Sequence, residues 1–202
     1  MQTMDLSVRL RRAVLIVALA NLAYFGVEFA VALRIGSVSL FADSVDFLED
    51  TSVNLLIFLA LRWSLKARAR VGMALALILL LPAVATLWAI WSKFHSPLPP
   101  APVPLSLAGL GALTVNLGCA LLLARYRHHQ GSLTRAAFLS ARNDALANLA
   151  IIAAAIVTAW TDSSWPDLWV GIGIMLMNAD AAREVWLAAH AEHRLTKMTP
   201  VV

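Results

Sequence analysis

Long apolar stretches alternate with short polar breaks along the chain, six times over. The apolar runs cover residues 12–34, 38–62, 71–93, 104–125, 135–160 and 166–190, each long enough to cross about 30 Å of hydrocarbon at 1.5 Å rise per residue. None shows the ten-residue alternation of a membrane barrel strand, so the pattern predicts helices. The breaks agree with that reading. Arg34–Gly36 and Thr161–Trp165 are short turns, and the segment HSPLPPAPVP at 95–104 carries too many prolines to continue a helix. Pro82 predicts a kink in the third span. The expected architecture is an all-α membrane protein, a bundle of six transmembrane helices.

The polar breaks also predict an orientation. With both termini cytoplasmic, Arg9, Arg11, Arg12, Arg62, Lys66, Arg68, Arg70, Arg125, Arg127, Arg135, Arg194 and Lys197 lie inside, and only Arg34 and Lys93 lie outside. Trp88, Trp91, Trp160 and Trp165 then fall near the external interface, where aromatic rings commonly anchor a span. The basic N-terminus resembles the start of a signal peptide. The following run is long, carries Asn21 and Glu28, and has no small-residue cleavage site, which predicts a retained first span. The expected layout is a cytoplasmic N-terminus at 1–11, a transmembrane domain at 12–190 and a short cytoplasmic tail at 191–202.

Composition adds little to this picture but excludes alternatives. The chain is 60% hydrophobic and 14% charged, with a mean hydropathy of +0.76, as an integral membrane protein requires. A net charge of +4 could by itself suggest nucleic acid, but the basic residues collect between spans, so no nucleic-acid partner is expected. The single Cys119 excludes a disulfide scaffold and a Cys-rich metal site.

The second run breaks the apolar rule four times, at Asp43, Asp46, Glu49 and Asp50. An acid near a span's centre costs about 2.5–3.5 kcal/mol, while each Leu, Ile, Phe or Val returns about 0.3–0.6, giving about +10 against about −6 kcal/mol. Such a helix needs partners inside the bundle, and intramembrane acids point to an ion or proton pathway. At 100° per residue Asp43, Asp46 and Asp50 share an arc of about 60°, with Glu49 about 60° further round. Asp46 and Asp50, four residues apart, stack one turn apart and can converge on one ion. In the fifth run Ser140 and Asp144 repeat that spacing, with Asn148 one turn further on. The second and fifth spans run in opposite directions, so Asp144 reaches a depth similar to that of Asp50.

Carboxylates at such a crossing suit divalent cations, because their charge compensates the ion and their oxygens replace its hydration shell. An empty site of crowded acids holds protons that an arriving cation displaces. The competing reading is a polar crevice in which these acids bond to Ser, Asn and Arg across the bundle without an ion. Asp43 and Glu28 suit a proton relay or an entrance, and equally a structural hydrogen bond. Glu49 lies off the stripe and Arg142 points away from Asp144, so neither is expected to be a ligand. Of the five histidines, His95 is external, His128 and His129 precede the fifth span, and His190 and His193 lie near the C-terminus. They are expected to be solvated, with a weak metal-collecting role as the alternative. Asp180, Arg183 and Glu184 have the spacing of an intrahelical charge cluster.

Six spans, an acidic pair in the second, a matching motif in the fifth, and a basic, His-bearing loop between the fourth and fifth resemble the cation diffusion facilitators. The segment FAVALRIGSVSLFADSVDFLEDTSVNLL is similar to that family's first-to-second span signature, with Gly36, Ser37, Ser39, Ala42 and Asp43 leading into an H/D-x-x-x-D pair filled by Asp46 and Asp50. RAAFLSARNDALANLAI resembles the fifth-span signature, and Asp167 after Pro166 is similar to an acid that opens the family's sixth span. There are two departures. Ser140 stands where the family has His or Asp, which removes the nitrogen ligand and favours harder ions such as manganese, iron(II) or magnesium over zinc. The family's C-terminal cytoplasmic domain, which binds metal and helps dimerise, has no counterpart in the dozen residues after the sixth span, so a homodimer would form through membrane spans.

The resemblance implies a transporter and not an enzyme, with no cofactor. It would export a divalent cation (zinc, manganese, iron or similar) from the cytoplasm in exchange for protons, by alternating access around a midplane site of Asp46, Asp50, Asp144 and Ser140. Asp43, Glu28 and Asn148 are the neighbours expected to support that site or relay protons. The expected location is the bacterial inner membrane. Two other readings compete. A non-transporting partner subunit would keep a degenerate site, with Ser140 as its mark. A membrane phosphotransferase would hold Mg²⁺ on clustered aspartates, but Asp43-x-x-Asp46 is followed by Phe47 and lacks the Gly-x-x-Ala-Arg that completes that enzyme signature.

Overall fold

The computed structural model describes residues 2–60, 84–125 and 131–198, with side chains over 8–56, 58, 84–125, 141–180, 183 and 187. Among the described residues the chain is helical, with no strand. The helices are α1 (Gln2–Ile35), α2 (Val38–Ala60), α3 (84–95), α4 (Pro102–Ala124), α5 (Gly131–Thr161) and α6 (Trp165–Met198). The kink expected at Pro82 and the loop histidines His128 and His129 lie outside the described residues.

Helices α1 and α6, each 34 residues long, run past the apolar stretches that foretold them. Hydropathy marks what lipid can cover, whereas Leu, Arg, Ala and Glu go on favouring the helix beyond it. The Pro-rich connector was expected to reach residue 104 but ends at Ala101, and Pro102 and Pro104 lie in the first turn of α4, where a missing N–H loses no hydrogen bond.

Helix α2 is the hub of the bundle. It packs against α1, α5 and α6 and touches α4, while α4 packs mainly on α5. Small residues let these helices approach closely. A Cβ at Gly109 would sit 3.2 Å from Ile152, and one at Gly171 would sit 2.7 Å from Val38.

Among the described residues the exposed surface of the helices is largely apolar, and the interior holds several polar side chains among its apolar ones. Ile16, Leu19, Leu121 and Leu149 are exposed, whereas Asn21, Glu28, Asp43, Asn148 and Asp167 are fully buried. Among the described residues three segments, Val8–Ile35, Pro102–Ala124 and Ala141–Thr161, are long and apolar enough to cross a membrane. In α2 the four acids lower the hydropathy, but Asp43 and Asp50 face the interior. The exposed Trp88, Trp91, Trp160 and Trp165 gather at one end, where Phe94 meets Trp165 edge-on at 5.6 Å.

The α1–α2 turn sits at that same end. Gly36 (φ +63°) closes α1 in the left-handed conformation that glycine adopts freely, and the Ser37 N–H returns to the Ala32 carbonyl at 3.1 Å. Ser37 then caps α2, its hydroxyl accepting from the Leu40 N–H at 3.1 Å. The Lys93 ammonium donates to the Gly36 carbonyl at 2.6 Å, which ties α3 to the turn.

Candidate metal-binding site

A buried polar layer divides the apolar interior. One apolar cluster contains Leu10, Val14, Val17, Cys119, Leu123 and Ala141. Another, nearer the α1–α2 turn, contains Ala32, Leu40, Leu105, Ala147 and Ile151. Between them lie Asn21 and Glu28 of α1, the acidic stretch of α2, Asn116 of α4 and Asp144 of α5.

The two acids expected to meet do so. Asp144 is half-buried on α5, and its carboxyl lies within hydrogen-bonding reach of that of Asp50, which is 7% exposed on α2. Asp46, half-buried one turn along α2, lies near enough to Asp144 for their charges to interact. The Ser140 backbone is helical one turn before Asp144, but its side chain lies outside the described residues. Among the described residues no three His, Cys, Asp or Glu side chains gather at metal-ligating spacing. The core of the arrangement is therefore a facing pair with Asp46 beside it.

Glu28 and Asp43 form a second acidic neighbourhood between α1 and α2. Both are fully buried and lie beside each other, and none of their four oxygens has a hydrogen-bond partner among the described residues. Asn148 turns its amide N–H back to the Asp144 carbonyl at 2.8 Å, and its own buried carbonyl has no partner among the described residues. Glu49, off the stripe on the wheel, still lies near Asp46 and Asp144. Arg142 is exposed and bonds Asn143 at 3.3 Å, away from the acids. His95 is exposed and bonds the Trp91 carbonyl. Asp180 and Arg183 pair at 3.9 Å on the surface. The side chains of Glu184, His190 and His193 lie outside the described residues.

Two features were not foreseen. Asn21 donates to the Asp50 carboxylate at 3.4 Å, while Cys119 donates to the Asn21 carbonyl at 3.8 Å, so the thiol fixes which end of the amide faces the acid. The available signal was that Asn21 and Glu28 stand seven residues apart, on one face of α1. Asn54, four residues after Asp50, donates to the Asp50 backbone carbonyl at 2.8 Å, as Asn148 does to that of Asp144. The two acid-bearing helices thus carry the same local device, a buried Asn one turn beyond the Asp.

Carboxylates facing across two helices, in a layer shut between apolar clusters, can hold a hard cation or the protons that replace it. The chain is similar to the zinc transporter ZitB of Pectobacterium atrosepticum, 28% identical over 178 residues, which cover 82% of this chain and 55% of that protein. It therefore spans about half the length of this relative. The description "Cation efflux transmembrane domain" matches residues 14–188, which include every acid of the buried layer. The chain belongs to the cation efflux transmembrane domain family.

Proposed function

We propose that the protein carries a divalent metal cation across a membrane, and that Asp46, Asp50, Asp144 and Ser140 hold the ion on the way. The observation that carries this reading is the Asp50–Asp144 pair. Two acids on different helices meet inside a bundle whose exterior is apolar, and such a costly pair persists where function uses it. The ZitB relative is called a zinc transporter, which supports zinc as one candidate cargo. The oxygen-rich donor set favours manganese or iron(II) beside it.

In this account six spans cross a bacterial inner membrane within residues 12–190, with both termini in the cytoplasm. The tryptophans beside the α1–α2 turn then mark the external face. The ion enters from the cytoplasm, displaces protons from the Asp46, Asp50 and Asp144 carboxyls and leaves outward as protons return. Glu28 and Asp43, toward the α1–α2 turn, stand on that proton route, and Asn148 steadies Asp144. Two copies associate through their membrane spans.

The test is a proteoliposome assay with Zn²⁺, Mn²⁺, Fe²⁺, Co²⁺ and Cd²⁺ under an imposed pH gradient. Wild type moves at least one ion, and Asp50→Ala and Asp144→Ala move none. Equal transport by the variants contradicts the site. No transport of any ion by the purified chain favours the partner-subunit reading instead. Ser140→His tightens zinc binding if residue 140 faces the ion, and unchanged affinity for every metal removes it from the ligand set.

A further inference from the structure

Asp50 is held from behind by two helices that carry none of the proposed ligands. Asn21 of α1, fully buried, donates its amide N–H to the Asp50 Oδ2 at 3.4 Å. Cys119 of α4, also buried, donates its thiol to the Asn21 Oδ1 at 3.8 Å. The three side chains run in series from α4 through α1 to α2. Both bonds are long, so neither is strong, yet together they set which end of an amide faces the acid.

That choice of end decides how many oxygens an ion meets. An amide has a donating end and an accepting end of nearly the same shape. With the nitrogen toward Asp50, Asn21 offers no oxygen in front of that carboxylate and engages a lone pair on Oδ2. With the oxygen there, two acceptors would face each other across the 3.4 Å that the hydrogen bond now spans. Acceptors so close repel unless a cation lies between them. The thiol opposes the turn, because it donates to the carbonyl where it now stands and is only a weak acceptor for the N–H that would replace it. Its other neighbours, Val14, Val17 and Leu123, are apolar and give a turned amide no partner.

The count of oxygens separates ions that charge alone does not. One oxygen each from Asp46, Asp50, Asp144 and Ser140 makes the set of about four that Zn²⁺ takes, and Mn²⁺ accepts the same donors. Ca²⁺ takes about six to eight oxygens at about 2.3–2.6 Å, often with a carboxylate bound through both of its oxygens. A turned Asn21 carbonyl and an Asp50 Oδ2 released from its N–H would bring the set to about six. The site falls short of what Ca²⁺ needs by the oxygens that Asn21 withholds.

We propose that Cys119 and Asn21 set the ion preference of the site: by keeping the Asn21 carbonyl turned away from Asp50 they exclude Ca²⁺ and leave the smaller divalent ions. Cys119 is a positioning residue that acts through Asn21. The proposal rests on the transport reading above, with Asp46, Asp50, Asp144 and Ser140 around the ion. The test measures, on the purified full chain, the Ca²⁺ concentration that displaces half of the bound Mn²⁺ or Zn²⁺. Cys119→Val removes the thiol donor at similar volume and lowers that concentration about fivefold, as loss of one hydrogen bond does. Cys119→Ser keeps a donor in place and keeps the wild-type value. Asn21→Leu removes the carbonyl itself, so adding Cys119→Val to it lowers the value no further.

An unchanged value in Cys119→Val overturns the proposal, as does an equal fall in Cys119→Ser or a fall that persists on the Asn21→Leu background. A second readout needs no ion. Cys119 is the single cysteine of the chain, so the infrared S–H stretch belongs to one thiol. Asn21→Leu frees that thiol and shifts its band to higher frequency, and an unshifted band overturns the proposal. If wild type binds neither Mn²⁺ nor Zn²⁺, the transport reading has failed and the proposal falls with it. A bound ion with an unchanged preference fails the proposal alone.

Discussion

Replacing Gly171 by Ala tests how closely α6 sits on α2. The new Cβ would lie 2.7 Å from the Val38 Cγ1, 2.9 Å from the Val38 carbonyl carbon and 3.0 Å from the Ser39 nitrogen. Carbon contacts are comfortable at about 3.5–4.0 Å, and two of these neighbours are backbone atoms that cannot rotate away. The helices must separate by about 1 Å, and overpacking of this kind costs about 1–3 kcal/mol. Gly173, two residues along the same helix, has nothing within 4 Å. Both substitutions gain the same helix propensity, about 0.8–1 kcal/mol, so the difference between the two variants isolates the clash. Unfolding in mixed micelles by SDS titration should place Gly171→Ala about 1–3 kcal/mol below Gly173→Ala. Equal stabilities would mean that α6 does not lie against the start of α2, and the packing described for this joint would be wrong.

Other consequences are open to measurement. Tyr24 donates to the Ala108 carbonyl at 2.6 Å, so Tyr24→Phe should cost about 1 kcal/mol of stability while leaving the ring contact with Phe47 in place. A Cβ at Gly111 would fall on the Tyr24 hydroxyl, so Gly111→Ala should harm wild type more than Tyr24→Phe; an additive double-mutant cycle would refute that contact. Asn21→Leu removes the donor to Asp50 and should weaken cation binding about 10–100-fold, as loss of a partner behind a metal ligand does. Titration calorimetry reads this directly, and unchanged affinity would leave Asn21 a packing residue.

Much of the helical layout was legible in the chain because lipid imposes a length on apolar runs. The run at 38–62 became Val38–Ala60 and that at 104–125 became Pro102–Ala124. Helix ends in α1 and α6 were not legible, because hydropathy stops at the lipid and helix propensity does not. Of the candidate site, Asp50 and Asp144 could be paired from their i, i+4 motifs and from opposed spans meeting at one depth. Asn21 could not be assigned, since one Asn in an apolar run has several plausible partners until the neighbouring helix is known. Asp167 was read as an acid opening the sixth span, but its partners stand 128–130 residues earlier. No local pattern encodes that separation. Cys119 reads as one more apolar residue in the sequence, and its bond to Asn21 ties it to the acids.

The central claim is that one cation binds between α2 and α5 on carboxylates from both helices. Titration calorimetry with Zn²⁺ and Mn²⁺ on the purified protein, its Asp50→Asn and Asp144→Asn variants and the double variant tests it most directly. The account predicts a saturable site in wild type, loss of that site in either single variant, and no further loss in the double variant because both acids serve one ion. Full-strength binding by either single variant, or independent and additive losses in the double, would contradict it.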